Sequence, residues 1–206
     1  MSAVNENFAT VILAAGAARR FGDCKHLLDQ GGQSVLQRRV EAVREAGLPT
    51  PLIITGAWHE DIRHAHPDLL LHHHQGWEQG LGTSIAFAMG CLPENTQAVL
   101  LLLGDQIAVN SADIRQLYRH WQQSKALTCA LYHGAPGVPA IFPRPLFSEL
   151  RALEGDRGAK TLLVQYAKPA NTIPMNSAAI DIDTPDDWLR WQNSNNEFSN
   201  GEALWN

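Results

Sequence analysis

Residues 98–103 read Ala-Val-Leu-Leu-Leu-Leu, the most hydrophobic run in the chain, and the run stops at Gly104-Asp105-Gln106. A strand with no polar position offers no face to water, so both of its faces must be covered, as in a parallel sheet. The residues before it supply neighbours of the same kind: Val11-Ile12-Leu13, Pro51-Leu52-Ile53-Ile54-Thr55 and Leu69-Leu70-Leu71-His72 are short strand-like runs. Between them, Val35, Leu36, Arg39-Val40 and Val43 recur at near-helical spacing over residues 34–46, with Ser34 as N-cap and Gly47 as stop. Residues 60–66 give a shorter helix ended by Pro67. Strand and helix alternating in steps of this length is the rhythm of a parallel sheet with crossover helices.

In open sheets of this kind, ligands bind outside the carboxyl ends of the strands. The first strand empties into Ala14-Ala15-Gly16-Ala17-Ala18, followed at once by Arg19, Arg20 and Lys25. Small side chains let a ligand approach the backbone, successive N–H groups can meet oxyanions, and the cations neutralise what the amides do not. Asp105 stands just past the end of the most apolar strand, the position from which a carboxylate holds a divalent cation on a phosphorylated ligand. Its alternative use, capping the next turn, is less favoured because Asp113 reads as the cap of a helix over residues 114–123.

The third strand leads into His72-His73-His74 and then a glycine-rich segment, with Gly80 and Gly82 before Thr83-Ser84 and an apolar helix over residues 85–91. Successive strand residues point to opposite faces, so His73 does not readily share a metal with the other two histidines. Thr83 and Ser84 either cap that helix or bind a polar ligand at its N-terminus. Residues 127–132 are strand-like, residues 133–142 alternate turn and apolar residues as a hairpin or lid would, and residues 146–153 are helical. Residues 155–163 form a loop feeding another helix, in which Arg157 and Lys160 either touch an anionic ligand or are solvated. Residues 180–183 read as a short strand whose alternation puts Asp181 and Asp183 on one face. There they can join Asp105 around a cation. Thr184, Pro185, Asp186 and Asp187 then open the last helix, the two acids compensating its dipole.

A formal net charge of −5 is the wrong sign for a general nucleic-acid binder. The N-terminal residues lack a signal-peptide pattern, and no apolar run approaches the length of a membrane span, so the cytoplasm is the expected location. Cys24, Cys91 and Cys129 are too widely spaced for a zinc pattern or a disulfide framework, and Cys24 reads as a small filler rather than a reactive thiol. One domain over residues 1–192 is expected, with 193–206 a polar, flexible tail in which Leu204-Trp205 is the one candidate docking element.

Taken together, these segments resemble the MobA-like nucleotidyltransferases, and within them the molybdenum cofactor cytidylyltransferases. The family opening L-A-A-G-x-S-x-R-M/F-G-x-x-K matches Leu13-Ala14-Ala15-Gly16, Arg20-Phe21-Gly22 and Lys25, with Ala18 in place of the usual Ser. W-x-x-G-x-x-x-S is present as Trp77, Gly80 and Ser84, and G-D-Q-P becomes Gly104-Asp105-Gln106-Ile107. G-x-P-x-x-F matches residues 137–142, G-D-x-G-A-R matches 155–160 with Lys160 for Arg, and D-I-D-T-P-x-D matches 181–187.

The resemblance implies a Rossmann-like three-layer α/β/α sandwich with a mostly parallel sheet, of the nucleotide-diphospho-sugar transferase type. It implies Mg²⁺-dependent transfer of a nucleoside monophosphate to a phosphorylated acceptor with release of pyrophosphate. Leu13, Ala14, Ala15 and Gly16 would meet base and ribose, with Thr55, Gly80 and Ser84 also on the nucleotide. Arg20 and Lys25 would hold the triphosphate and, with Asp105, form the catalytic set. Asp105 and Asp183 would bind Mg²⁺, with Asp181 a neighbour, and Gly137, Pro139 and Lys160 would contact the acceptor. Ala15 gives the L-A-A-G form of pyrimidine-using members, which favours CTP over GTP, whose users read L-A-G-G. The implied acceptor is molybdopterin, and the implied protein partner a molybdoenzyme receiving the cofactor. The alternatives are a sugar phosphate as acceptor, or a carrier that binds the cofactor without chemistry. A P-loop NTPase is disfavoured because no Ser or Thr follows Lys25.

Overall fold

The computed structural model describes residues 7–201, with side chains through 194. The chain begins with β1 (Phe8–Ala14), α1 (Val35–Glu45), β2 (Leu52–Thr55), α2 (His59–Ala65) and β3 (Leu71–His73), and continues through α3 (Leu81–Gly90), β4 (Ala98–Leu103) and α4 (Ser111–Ser124). It closes with β5 (Thr128–Tyr132), β6 (Ala135–Pro143), α5 (Phe147–Arg151), α6 (Lys160–Tyr166), β7 (Thr172–Pro174) and α7 (Pro185–Gly201). One seven-stranded sheet runs in the order β3-β2-β1-β4-β6-β5-β7. All neighbours are parallel except β6, which is antiparallel to both β4 and β5.

Strand alternation divides the core into two layers. From β1 and β4, Phe8, Ile12, Leu100 and Leu102 face one way and pack with Leu36 and Val43 of α1 and Ile114 and Leu117 of α4. Ala9, Val11, Val99 and Leu101 face the other way, against Ile85 and Met89 of α3, Leu150 of α5 and Leu162 of α6. The all-apolar run of β4 is thus covered on both faces, as its composition requires. The chain leaves β1 toward β2 and β3 and returns past β1 to β4, so the β1 and β4 carboxyl ends flank the switch point of the sheet.

Four local expectations change. Residues 180–183 are no strand; the last strand is β7, because the Ile182 N–H is donated to the Asp105 carbonyl (3.3 Å) and its own carbonyl accepts from Lys25 (2.8 Å), leaving no ladder groups. Asn110, not Asp113, caps α4: its side chain accepts from the Ala112 and Asp113 amides while Asp113 reaches back to the Asn110 N–H, a capping box. α3 begins four residues early, at Leu81, with Gly80 (φ 112°) at its cap. The polar run from 193 continues α7 to Gly201, because no Pro or Gly interrupts it before that residue. Residues 202–206, including Leu204-Trp205, lie outside the described residues.

Candidate active site

A cleft of about 510 Å³ opens at the β1/β4 switch point, between the loop after β1, the start of α3 and the turn after β4. Lys25 lies on its floor, 8% exposed. Its ammonium donates to Asp105 Oδ2 at 2.6 Å and to the Ile182 carbonyl at 2.8 Å, and stands 3.5 Å from Asp183 Oδ1. Arg20, at the solvent side, donates to Asp183 Oδ2 at 2.6 Å. Two cations from the start of the chain, one acid from its middle and one from near its end therefore converge at one point. Lys25 is buried and tied to the acids, whereas Arg20, with 73% of its side chain exposed, is the more solvent-accessible cation of the pair.

The acids suit a hard divalent cation in kind. Asp105 Oδ1 is buried without a partner among the described residues, and carboxylate oxygens are the donors that Mg²⁺ prefers, usually one or two with phosphate and water completing the shell. Asp181 is not gathered with Asp105 and Asp183 into one cluster: the described residues hold no group of three Asp, Glu, His or Cys side chains placed to bind an ion. Its carboxyl is raised above the usual range by burial and then by the charges of Asp183 and Asp105, so it senses the pair from a distance.

The small-residue loop is pinned from behind. The Ala15 carbonyl accepts from the Ala57 amide (3.1 Å), the Ala17 carbonyl from the Trp58 indole (3.1 Å), and the Ala18 carbonyl from the Phe21 and Gly22 amides (2.8 and 2.9 Å). A side chain at Gly16 would meet nothing within 4 Å, so the space over this backbone is open to a ligand. Gly56 is needed instead for packing, since a methyl there would lie 2.6 Å from Trp77, which forms a wall of the cleft. Ser84 is buried at the α3 end of the cleft, its hydroxyl within 3.4 Å of the Gly80 carbonyl.

A second, mostly apolar cavity of about 370 Å³ adjoins the cleft and shares Leu13, Leu81 and Leu103 with it. Gly137 and Lys160 line this cavity; Pro139 is buried and does not. Tyr132 also lines it, its ring against Gly137 and its phenol raised by burial and then by the charges of Asp181 and Asp105. Gln106, 2% exposed, donates from Nε2 to the carbonyls of Val138 on β6 and Ala178 ahead of the closing acids, both at 2.8 Å. His26 is buried against Gly104, and burial lowers its ring to about 4, so it is neutral at pH 7.

The sequence marks neither His26 nor Tyr132 as a site residue, and Gln106 enters only as a motif letter; each stands beside another polar residue (Lys25, His133 and Asp105) and carries no spacing signal of its own. Thr55 is not at the cleft. It is fully buried, its hydroxyl spent on His59 Nδ1 (2.7 Å) and the His72 carbonyl (3.3 Å). The adjacent histidines separate: His73 stacks on His59, with ring centroids 4.2 Å apart, and His74 stacks on Phe87. Cys24 is buried and its thiol pushed up to about 11, as a filler residue would be. No helix among the described residues is long and apolar enough to cross a membrane.

Residues 10–170 match the family model described as the MobA-like NTP transferase domain. The purine catabolism protein PucB of Bacillus subtilis is 27% identical over 191 residues, 86% of this chain and 92% of that protein. The bifunctional protein GlmU of Heliobacterium modesticaldum is 27% identical over 123 residues, 59% of this chain, and the match spans only 27% of GlmU. Among solved structures, Rv0371c of Mycobacterium tuberculosis superposes with a TM-score of 0.77 at 26% identity, covering 90% of this chain and 97% of that one. The same protein has also been solved in complex with manganese; that structure gives a TM-score of 0.73 at 25% identity, covering 89% of this chain and 97% of that one.

Proposed function

We propose that this chain, which belongs to the MobA-like NTP transferase family, moves CMP from CTP to the terminal phosphate of molybdopterin or its molybdenum-bearing form and releases pyrophosphate. The observation that carries the reading is the meeting of Asp105, Asp183, Lys25 and Arg20 at the mouth of an open small-residue loop. An acceptor phosphate oxygen attacks the α-phosphorus, and the bond from that phosphorus to the bridging oxygen breaks, with the electron pair leaving on pyrophosphate. A phosphate monoester is already anionic at pH 7, so no strong base is required. The rate comes from aligning two anions and neutralising charge as it moves to the leaving group.

Arg20 would follow the triphosphate, and Lys25 would hold the two acids in register from the floor of the cleft. When bound at Asp105 and Asp183, Mg²⁺ supplies further neutralisation of the phosphates. Ala15 lines the cleft beside Gly16, and the L-A-A-G form it gives to the loop supports CTP as the nucleotide. The 370 Å³ cavity beside the cleft is the natural seat for the acceptor, with Lys160 and Tyr132 at its polar edge.

A screen of four NTPs against molybdopterin and a panel of sugar phosphates, with Mg²⁺ and pyrophosphate release as the readout, tests this. CTP with molybdopterin should be the productive pair, and Asp105→Ala should lower its turnover by about 100-fold or more. Release with a sugar phosphate and none with molybdopterin would overturn the acceptor; retained turnover in Asp105→Ala would overturn the site. Binding of molybdopterin with no release from any NTP would make the protein a carrier.

A further inference from the structure

We propose that a third cavity, of about 290 Å³, formed by α1, the segment after β4 and α7, binds a small oxyanion, a phosphate or carboxylate group, through the Arg39 guanidinium and the Trp191 indole N–H. Arg39 sits on the inward face of α1 among Val35, Leu36, Ala42 and Val43, where an apolar side chain would be expected, and is 3% exposed. Its Nη2 donates to the Ile107 carbonyl at 3.3 Å, while Nε and Nη1 have no partner among the described residues. The Trp191 indole nitrogen, lining the same cavity, is also buried without a partner there.

A buried guanidinium stays charged at neutral pH and is costly to leave unpaired. Burial pulls Arg39 down only to about 10, with Asp113 opposing, and no hydrogen bond joins the two; Asp113 Oδ2 accepts instead from the Asn110 amide and the Ser177 hydroxyl. Donors from two elements that lack acceptors call for a group that only accepts, which an ionised oxyanion is. Gln30, whose buried Oε1 is likewise unmatched, adds a donor if its amide is flipped. Two acids also line the cavity, but Glu41 is taken by Arg44, and Glu45 is exposed. The attraction is therefore concentrated at depth, around Arg39.

The cavity is connected to the cleft by two hydrogen bonds. Arg39 holds the Ile107 carbonyl, and the Ile107 N–H, which the proline usual at this motif position would lack, donates to the Asp105 carbonyl at 2.9 Å. An anion that fixes Arg39 thus steadies the turn bearing Asp105.

Titrating the ¹⁵N-labelled full-length protein with inorganic phosphate, then with acetate, with chloride as the ionic-strength control, tests the site without any assay of turnover. The Trp191 indole N–H and the Ile107 amide should shift saturably with phosphate or acetate and not with chloride. Arg39→Met should abolish both shifts, whereas Arg20→Met, in the main cleft, should leave the Trp191 shift intact. If Arg39→Met does not fold, Arg39→Lys should weaken the binding by about tenfold, the loss of roughly one charge-assisted hydrogen bond. No saturable Trp191 shift in the wild type in the millimolar range, or a shift that survives loss of the guanidinium, would overturn the proposal.

Discussion

Gln106→Leu is the substitution that most directly probes how the two halves of the site are held together. It keeps the side-chain volume roughly constant and removes one NH₂ group that bridges two carbonyls, Val138 and Ala178, at 2.8 Å each. Each stranded carbonyl costs about 1–3 kcal/mol when buried, and the Val138 bond is only partly buried, which lowers its share. Gln106 Oε1 has no hydrogen-bond partner among the described residues, so removing it returns part of that loss. The net destabilisation is about 2–3 kcal/mol, a fall in Tm of about 4–12 °C for a chain of this size. Urea unfolding followed by far-ultraviolet circular dichroism reads it as a lower midpoint at unchanged slope. Since Val138 lines the proposed acceptor cavity, the KM for acceptor should rise more than that for nucleotide. Gln106→Glu loses the same donors and adds a buried charge, so it should be worse than Leu. A Glu variant more stable than the Leu variant, or a Leu variant melting with the wild type, would refute the bridge.

Ala18 is held at φ 50°, a region that disfavours side chains, so Ala18→Gly should stabilise by up to about 1 kcal/mol despite the extra freedom of glycine in the unfolded chain; a lower Tm would contradict the strain. His26 has its folded pKa lowered from 6.5 to about 4, so the unfolded chain binds the extra proton first as pH falls. Its contribution is complete above about pH 6.5 and is lost between there and pH 4, about 3 kcal/mol in all. His26→Gln should flatten the dependence of unfolding free energy on pH across that window, and parallel profiles for variant and wild type would count against burial as the cause.

The strands that could be read from sequence are those whose composition leaves no other option, such as 98–103, buried on both faces. The expected strand at 180–183 failed for a local reason: its backbone groups are claimed by Asp105 and by a lysine from the far end of the chain, and alternation alone does not reveal that competition. Helix starts shifted where a cap lay just upstream, as at Asn110, because Asp113 serves equally well as an N3 residue. Lys25, Asp105 and Asp183 were each recognisable from motif and position. Their mutual pairing across 80 and 158 residues was not, and it gives Lys25 contacts with both acids that its motif position does not announce.

The cleft and the neighbouring cavity share one further seam, made of backbone. A methyl on Gly80 would lie 2.4 Å from the Gly155 carbonyl carbon, and one on Gly82 would lie 2.7 Å from the Arg157 carbonyl oxygen. The Gly82 amide donates to the Gly155 carbonyl at 2.8 Å, so the start of α3 and the loop that leads to Lys160 are joined at direct backbone contact. On the other side of the site, the Gln106 amide joins the Asp105 turn to β6 and to the segment before Asp181. A backbone seam has no side chain through which to yield, whereas an amide bridge can be lengthened by rotation. Widening the second cavity for a larger ligand is therefore easier from the β6 side than from the α3 side. A glycine-to-alanine change at 80 or 82 should disturb cleft and cavity together.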